Sequence, residues 1–244
     1  MKTNSRKTVV VSCVAVFFAV AFLALFIHEG YPQRIIQRLS PSKQIEYHAI
    51  HNDKALDAWE NCLNQLHQKV DIVFFGDSIT RRGNFDSYFP DTTICNLGMG
   101  SDTLIGMTDR IGMISSVSPS KLFVLGGINS LRDNTLEKSI QEYGSLLSAI
   151  SGTGIKDVYV ISVLPIDKSS SDSIICSPQT ITSFNSSIEI LAKGKNYKYI
   201  DLHSLFADSN GFIKPELTTD GVHLTDEVYL IFSNAIAPLI SDGL

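Results

Sequence analysis

Three side chains of this sequence could together make a reactive serine. Ser78 ends the tripeptide GDS, while Asp220 and His223 begin and end the tetrapeptide DGVH. A serine hydroxyl attacks a carbonyl carbon efficiently only when an imidazole accepts its proton and a carboxylate orients that imidazole. One turn can bring Asp220 and His223 together, with Gly221 easing the bend. The sequence therefore predicts Ser78 as nucleophile, His223 as base and Asp220 as orienting carboxylate.

The tetrahedral intermediate of such an attack also needs hydrogen-bond donors for its oxyanion. The candidates are the backbone amides of Ser78 and Gly98, in the segments GDS and NLG, and the side-chain amide of Asn129 in GIN. Taken singly, each residue has another interpretation. Ser78 could be a helix cap, Gly98 and Asn129 turn formers, and Asp220 with His223 a surface or metal-ligating pair.

The segments between these residues predict the elements that must position them. Short apolar runs alternate with stretches of helical spacing, and this pattern is typical of an α/β fold with a mostly parallel sheet covered on both faces. In such sheets the ligand site lies beyond the carboxyl ends of the strands, where all four segments fall. The predicted strands are 70–75, 93–97, 121–125, 158–164 and 197–202, and the predicted helices include 104–117, 136–150, 181–192 and 226–240.

Four ordered blocks, FGDSIT, NLG, GIN and DGVH, resemble the signature of the SGNH (GDSL-type) hydrolases over about residues 70–240. The resemblance implies a three-layer α/β/α, flavodoxin-like fold with a five-stranded, mainly parallel sheet. It also implies Ser78 as nucleophile, His223 as base, Asp220 as its partner, and Gly98 and Asn129 in the oxyanion hole. Neither a metal nor an organic cofactor is expected.

A second resemblance lies just after the NLG block. Residues 100–103 (GSDT), followed by Arg110, are similar to the platelet-activating-factor acetylhydrolase-like branch, which implies short acyl groups such as acetyl. We interpret Asp102 as a capping residue and Arg110 as a helix-surface cation, with a role at the site as the alternative.

Three more residues lie beside the blocks. Ser130 stands where the family often has an aspartate, which calls the local loop geometry into question but not the nucleophile. Arg81 and Arg82 follow Ser78 closely. We interpret them as solvated surface arginines, and contact with an anionic substrate is the alternative.

Composition limits the remaining classes. The formal net charge of -5 offers no basic surface for nucleic acid. The cysteines form neither a CxxC pair nor a Cys/His cluster, so neither structural zinc nor a disulfide framework is indicated, and one disulfide among Cys62, Cys95 and Cys176 stays open.

The N-terminus predicts a membrane segment. Residues 8–27 are apolar and uncharged, and about 20 such residues span a bilayer as a helix. Lys2, Arg6 and Lys7 precede them, which favours a cytoplasmic N-terminus and an extracytoplasmic domain, although cations also follow the segment. A cleaved signal peptide, giving a secreted protein, is the alternative. The predicted organisation is a basic tail (1–7), an anchor (8–27), a connector (28–52) and a hydrolase domain (53–244).

Three functions remain open from the sequence. The first is a serine carboxylester hydrolase that removes short acyl groups, such as acetyl, from a carbohydrate or small ester through an acyl-Ser78 intermediate. The second is an envelope polysaccharide O-acetyltransferase that uses the same triad. The third is a catalytically silent binding module that retains the fold. The presence of the whole catalytic set argues against this third function: Ser78, Gly98, Asn129, Asp220 and His223. Protein partners and the natural acceptor are not indicated.

Overall fold

The computed structural model describes residues 69–241 of the chain. The predicted tail (1–7), anchor (8–27) and connector (28–52) lie outside the described residues, as does the start of the predicted hydrolase domain. Within residues 69–241, no helix is long and apolar enough to cross a membrane.

The described residues form one five-stranded sheet in which every neighbouring pair is parallel. The strand order is β2-β1-β3-β4-β5, the flavodoxin-like order. The predicted five-stranded parallel α/β architecture is therefore confirmed. The strands are β1 (Ile72–Gly76), β2 (Ile94–Gly98), β3 (Lys121–Leu125), β4 (Asp157–Ile161) and β5 (Lys198–Ile200).

Helices follow each strand and return the chain to the start of the next. They are α1 (Ser78–Arg82), α2 (Phe85–Tyr88), α3 (Leu104–Asp109), α4 (Gly112–Val117), α5 (Ile128–Asp133), α6 (Leu136–Gly152), α7 (Pro178–Lys193), α8 (His203–Phe206) and α9 (Asp226–Ser241), with 3₁₀ turns at Ser171–Ile174 and Pro215–Leu217.

Two apolar cores lie on opposite faces of the sheet. Alternate residues of β1 divide between them, because successive side chains of a strand point to opposite faces. Val73 and Phe75 pack with α3, α4, α6 and α7, whereas Ile72 and Phe74 pack with α1, α2 and α9. Burial on both faces is the reason that the strands read as continuous apolar runs, and it produces the three layers that the sequence predicts.

Several element boundaries shift slightly from the sequence prediction, and two of the differences have a clear structural cause. The helix predicted over 104–117 is two short helices, because the chain bends at Arg110 and directs that side chain into the protein. The strand predicted over 158–164 ends at Ile161, because the backbone N–H and C=O of Val163 pair with the side-chain amide of Asn185 instead of with another strand.

The structure narrows the possible disulfide among Cys62, Cys95 and Cys176. Cys95 is disulfide-bonded. Cys176 is a buried free thiol. The single disulfide that the sequence allows therefore does not involve Cys176.

Candidate active site

The carboxyl ends of β1 and β2 are glycines that face each other, Gly76 and Gly98. Both positions are too crowded for a side chain. A Cβ on Gly76 would lie 2.0 Å from the carbonyl oxygen of Leu125, and one on Gly98 would lie 2.2 Å from the backbone nitrogen of Arg81. The start of helix α1 is therefore packed directly across the end of β2.

Ser78 is the first residue of α1, immediately after this crowded strand end. The carboxylate of Asp77 caps the helix by accepting a hydrogen bond of 3.0 Å from the backbone N–H of Ile79. The Ser78 side chain is half-buried. Its backbone N–H belongs to the first turn, where a helix does not use the donor itself.

His223 and Asp220 meet Ser78 from the other end of the sequence. The Nε2 atom of His223 lies 2.8 Å from Ser78 Oγ, and its Nδ1 atom lies 2.6 Å from Asp220 Oδ2. A neutral ring with its proton on Nδ1 donates to Asp220 and accepts the Ser78 hydroxyl proton on Nε2. The structure thus brings together the three residues predicted to form a triad.

The loop that carries Asp220 and His223 holds its own shape. Asp220 Oδ1 accepts hydrogen bonds from the backbone N–H groups of Val222 at 3.1 Å and His223 at 2.9 Å. Gly221 lies between them with φ +92°, a left-handed conformation that favours glycine. Its carbonyl oxygen accepts from the backbone N–H of Asp167 at 2.7 Å, which fixes the loop to the segment after β4.

Electrostatics keep the imidazole neutral and the carboxylate charged. Burial lowers the pKa of His223; the hydrogen bond that His223 donates to Asp220 opposes this effect, and the charges of Arg82 and Arg81 add to the lowering. Burial alone would raise the pKa of Asp220, but the hydrogen bonds from His223 and Val222 outweigh it and hold that pKa below its usual value. At neutral pH the site therefore contains a proton-accepting imidazole beside an ionised carboxylate.

Asn129 lies in the first turn of α5, beyond the end of β3. It is 7% exposed, and its Nδ2 donates a 2.8 Å hydrogen bond to the backbone carbonyl of Asp102. An amide NH₂ carries two hydrogens, so one N–H of Asn129 remains for another acceptor.

The backbone amide of Gly98, also predicted as an oxyanion donor, already has a partner. It donates a 2.9 Å hydrogen bond to Asn96 Oδ1. The Asn96 side chain in turn donates to the carbonyls of Thr80 and Gly83 and so ties β2 to α1. An oxyanion could use the Gly98 amide only if the Asn96 hydrogen bond opened.

The interpretation of Arg110 as a surface cation and Asp102 as a capping residue is wrong. Arg110 is 1% exposed and Asp102 is fully buried. Their side chains pair at 2.6 Å between Nε and Oδ2. Thr103, not Asp102, caps α3 by accepting from the backbone N–H of Gly106. The sequence signal for this pair was the GSDT segment itself, whose resemblance includes both residues.

The neighbouring residues of the blocks take defined positions. Ser130, which replaces the family's common aspartate, is fully buried and accepts a 2.9 Å hydrogen bond from the backbone N–H of Leu104. Arg82 is exposed, 3.9 Å from Asp220 Oδ2. Arg81 is only half-exposed and lies beside Gly100, so the interpretation as a solvated arginine fits Arg82 better than Arg81. Burial, with the charge of Arg82, lowers the pKa of Arg81.

The part of the chain that the structure describes holds no group of three or more His, Cys, Asp or Glu side chains placed to bind a metal ion.

A family model for the GDSL-like lipase/acylhydrolase family matches residues 74–231, which include all the residues of this site. The match covers more than half of the chain, and the chain therefore belongs to this family of ester-hydrolysing enzymes. No curated protein matches the sequence.

Solved structures share the fold. A GDSL-like lipase from Bacteroides thetaiotaomicron is 24% identical, with a TM-score of 0.65 over 78% of this chain and 100% of that one. A Streptococcus pneumoniae protein provisionally described as a platelet activating factor is 18% identical, with a TM-score of 0.65 over 81% of this chain and 99% of that one. An acetyl xylan esterase from Geobacillus stearothermophilus is 16% identical, with a TM-score of 0.55 over 74% of this chain and 98% of that one.

Proposed function

We propose that this protein is a serine carboxylester hydrolase that removes short acyl groups, above all acetyl, from a carbohydrate or small ester through an acyl-Ser78 intermediate. One observation carries the proposal. The His223 ring links the other two residues through hydrogen bonds, with Nε2 at 2.8 Å from Ser78 Oγ and Nδ1 at 2.6 Å from Asp220 Oδ2. This hydrogen-bonded triad is the arrangement that activates a serine hydroxyl at neutral pH.

In the first half of the reaction, Ser78 Oγ forms a bond to the ester carbonyl carbon while its proton moves to His223 Nε2. The negative charge of Asp220 stabilises the resulting imidazolium. The backbone N–H of Ser78 and the remaining N–H of Asn129 are the donors best placed to meet the oxyanion. The bond to the alkoxy oxygen then breaks, and His223 returns the proton to the leaving alcohol.

In the second half, water takes the place of the alcohol. His223 accepts a proton from water as the water oxygen bonds to the acyl carbon, and the bond to Ser78 Oγ breaks with return of that proton to the serine. The products are one carboxylic acid and one alcohol per ester consumed. If a sugar hydroxyl replaced water in this step, the same residues would carry out acyl transfer.

The acetyl preference draws on two supports. The GSDT segment resembles the acetylhydrolase-like branch, and acetyl xylan esterases occur among the structural neighbours. These neighbours act on acetylated xylan by name; the same class of substrate is our proposal for this chain.

We test the nucleophile with the full-length chain and a fluorophosphonate probe, followed by p-nitrophenyl acetate hydrolysis. Ser78→Ala should abolish both labelling and turnover. Ser145→Ala is the matched control, because Ser145 is exposed on α6 and its hydroxyl bonds only within that helix. Folded wild-type protein that neither labels nor turns over would contradict the proposal and indicate a binding module.

A second measurement separates hydrolysis from transfer. Acetylated xylo-oligosaccharide is incubated with the enzyme, with and without a non-acetylated oligosaccharide acceptor, and the products are identified by mass spectrometry. We expect free acetate in both reactions. Acetylated acceptor formed in preference to acetate would instead favour the acetyltransferase.

We further propose that residues 8–27 anchor the protein in a membrane with the hydrolase domain outside the cytoplasm. The support is the uncharged apolar run and the cations that precede it. The full chain should stay in the membrane fraction after an alkaline carbonate wash, and deletion of residues 8–27 should release it. A wild-type chain recovered in the soluble fraction would refute the anchor and favour the cleaved signal.

A further inference from the structure

Arg110 joins three parts of the carboxyl edge of the sheet. Its Nη2 donates to the carbonyl of Gly76 at 2.9 Å, its Nη1 to the carbonyl of Leu97 at 2.8 Å, and its Nε to Asp102 Oδ2 at 2.6 Å. The guanidinium also lies 4.2 Å from the centre of the Phe75 ring. One buried side chain therefore ties the ends of β1 and β2 to the loop that follows β2.

That loop is a tight turn, which we call the Met99–Asp102 turn. The backbone N–H of Asp102 donates to the carbonyl of Met99 at 3.3 Å, and the N–H of Met99 donates to Gly76 at 2.9 Å. Ser101 has φ +58°, a left-handed conformation that costs a non-glycine residue energy and needs support from its surroundings. The turn keeps this conformation because the Arg110–Asp102 pair holds its end.

The Met99–Asp102 turn also fixes the side-chain amide of Asn129. The carbonyl of Asp102 accepts one N–H of the Asn129 side chain at 2.8 Å. A planar amide with one N–H fixed has its other N–H fixed as well. The position of the second N–H, which the proposed mechanism directs to the oxyanion, therefore depends on where the Asp102 carbonyl lies.

We propose that Arg110 and Asp102 are positioning residues for the oxyanion hole. They do not touch the substrate. They hold the Met99–Asp102 turn, and through its last carbonyl they hold the Asn129 donor. This inference rests on the proposed function, because only an acyl-transfer reaction needs the oxyanion donor.

The chemistry of the pair explains why it is arginine with aspartate. The three acceptors of Arg110 require N–H groups diverging in a plane, which a guanidinium has and an ammonium lacks. A buried cation without a counter-charge is strongly unfavourable, and Asp102 supplies that charge at 2.6 Å. Arg110→Lys therefore keeps the charge but loses the geometry, which makes it the informative substitution.

The test is a double-mutant cycle on kcat for p-nitrophenyl acetate, made with the full-length chain. We expect Asn129→Ala to lower kcat about 100-fold and Arg110→Lys about 10- to 100-fold, each with KM changed less than about 3-fold. In the Asn129→Ala background, Arg110→Lys should cost less than about 3-fold more, because the donor it positions is already absent.

Lys121→Met is the matched control, because Lys121 is also a buried cation that binds backbone carbonyls, at 2.8 Å from Leu239 and Ile240, but at the start of β3. It should leave kcat of folded protein within about 2-fold in both backgrounds. This comparison separates loss of positioning from general loss of stability.

If Arg110→Lys does not fold, Asp102→Asn replaces it in the cycle, since this variant keeps the backbone carbonyl that Asn129 uses and removes the ion pair. The inference is overturned if folded Arg110→Lys, or its replacement, keeps wild-type kcat, or lowers kcat equally in both backgrounds. Failure of the proposed function looks different, because folded wild-type chain would then neither turn over ester nor label at Ser78.

Discussion

The two edges of the sheet use charged side chains in different ways. At the amino edge, Lys121 donates to carbonyls in the last turn of α9. Also at this edge, the Asp71 carboxylate accepts hydrogen bonds from the backbone N–H and the hydroxyl of Thr93, and the Thr93 hydroxyl accepts one from the backbone N–H of Asp71. At the carboxyl edge, Asp77 and Arg110 are as deeply buried as Lys121, but they stand beside Ser78 and the turn after β2. The charged side chains of the amino edge bind only other groups of the fold. Those of the carboxyl edge support groups that remain available to a substrate.

This difference predicts separate outcomes for substitutions at the two edges. A change at the amino edge should lower the free energy of unfolding and leave kcat of the folded protein intact. A change at the carboxyl edge should act on kcat, on the pH dependence of activity, or on the pH dependence of stability. After loss of the nucleophile itself, the largest effect expected is that of Asp220→Asn.

Asp220→Asn should lower kcat on the order of 10³-fold, because the amide can donate to His223 Nδ1 and so favour the tautomer that cannot accept the Ser78 proton. The measurement is kcat for p-nitrophenyl acetate at neutral pH. Asp157→Asn is its matched control at the amino edge, where Asp157 lies 3.7 Å from Lys198. Equal losses of activity in the two variants would break the comparison.

Asp77→Asn should change how stability depends on pH. Burial raises the pKa of Asp77 from 3.8 to about 7 in the folded protein. As pH rises between these values, the unfolded carboxyl ionises first, so wild-type stability should fall relative to that of Asp77→Asn. We expect about 3 kcal/mol across this interval, measured by urea unfolding at a series of pH values.

Asp71→Asn is the control for Asp77→Asn, because hydrogen bonds from Thr93 lower the pKa of Asp71. Wild-type stability should here rise relative to the variant as pH increases through the acid range. The same sign of pH dependence for both variants would show that the two edges do not differ in this respect.

Lys121→Met should destabilise the fold by about 2 kcal/mol, because the carbonyls of Leu239 and Ile240 lose a charged donor at the end of α9. Urea unfolding measures the loss, and kcat at a temperature where the variant is folded should match that of wild type. A large decrease in kcat would mean that the amino edge also positions the site.

Arg82→Gln should have the smallest effect. The charge of Arg82 contributes to lowering the pKa of His223, so its removal should raise that pKa and move the acid limb of the kcat/KM profile to higher pH by a few tenths of a unit, as expected for an exposed charge. Lys193→Gln, which removes an exposed charge paired with Glu189 on α7, should leave the profile unchanged. A shift to lower pH on Arg82→Gln would contradict the electrostatic account.

The strands and the position of Ser78, Asp220 and His223 were predictable because the signals are local. Short runs such as IVFF predict buried strands, and a topological rule places their ends at one edge. The meeting of Ser78 with His223 follows from that rule, although sequence spacing could not give the 2.8 Å separation of their reacting atoms.

The environment of Arg110 could not be predicted, because it depends on contacts between distant parts of the chain. That of the Gly98 amide could not be predicted because its partner Asn96, two residues away, is oriented by the carbonyls of Thr80 and Gly83. Arg110 meets the carbonyl of Gly76, 34 residues away, and no pattern within residues 104–117 marks it as buried. The Gly98 amide is engaged by the side chain of Asn96, an arrangement set by how closely α1 crosses the end of β2.

The hydrogen bond between Ser78 and His223 joins positions 145 residues apart in the chain, and this separation orders events during biosynthesis. Translation at about 5–20 residues per second delivers the nucleophile many seconds before its base. A nascent chain released before Thr219 therefore carries Ser78 and Asn129 but has no imidazole to activate the hydroxyl. Hydrolytic activity consequently appears only when the chain is complete through the Asp220–His223 loop, so an interrupted product of translation is inert toward the esters around it.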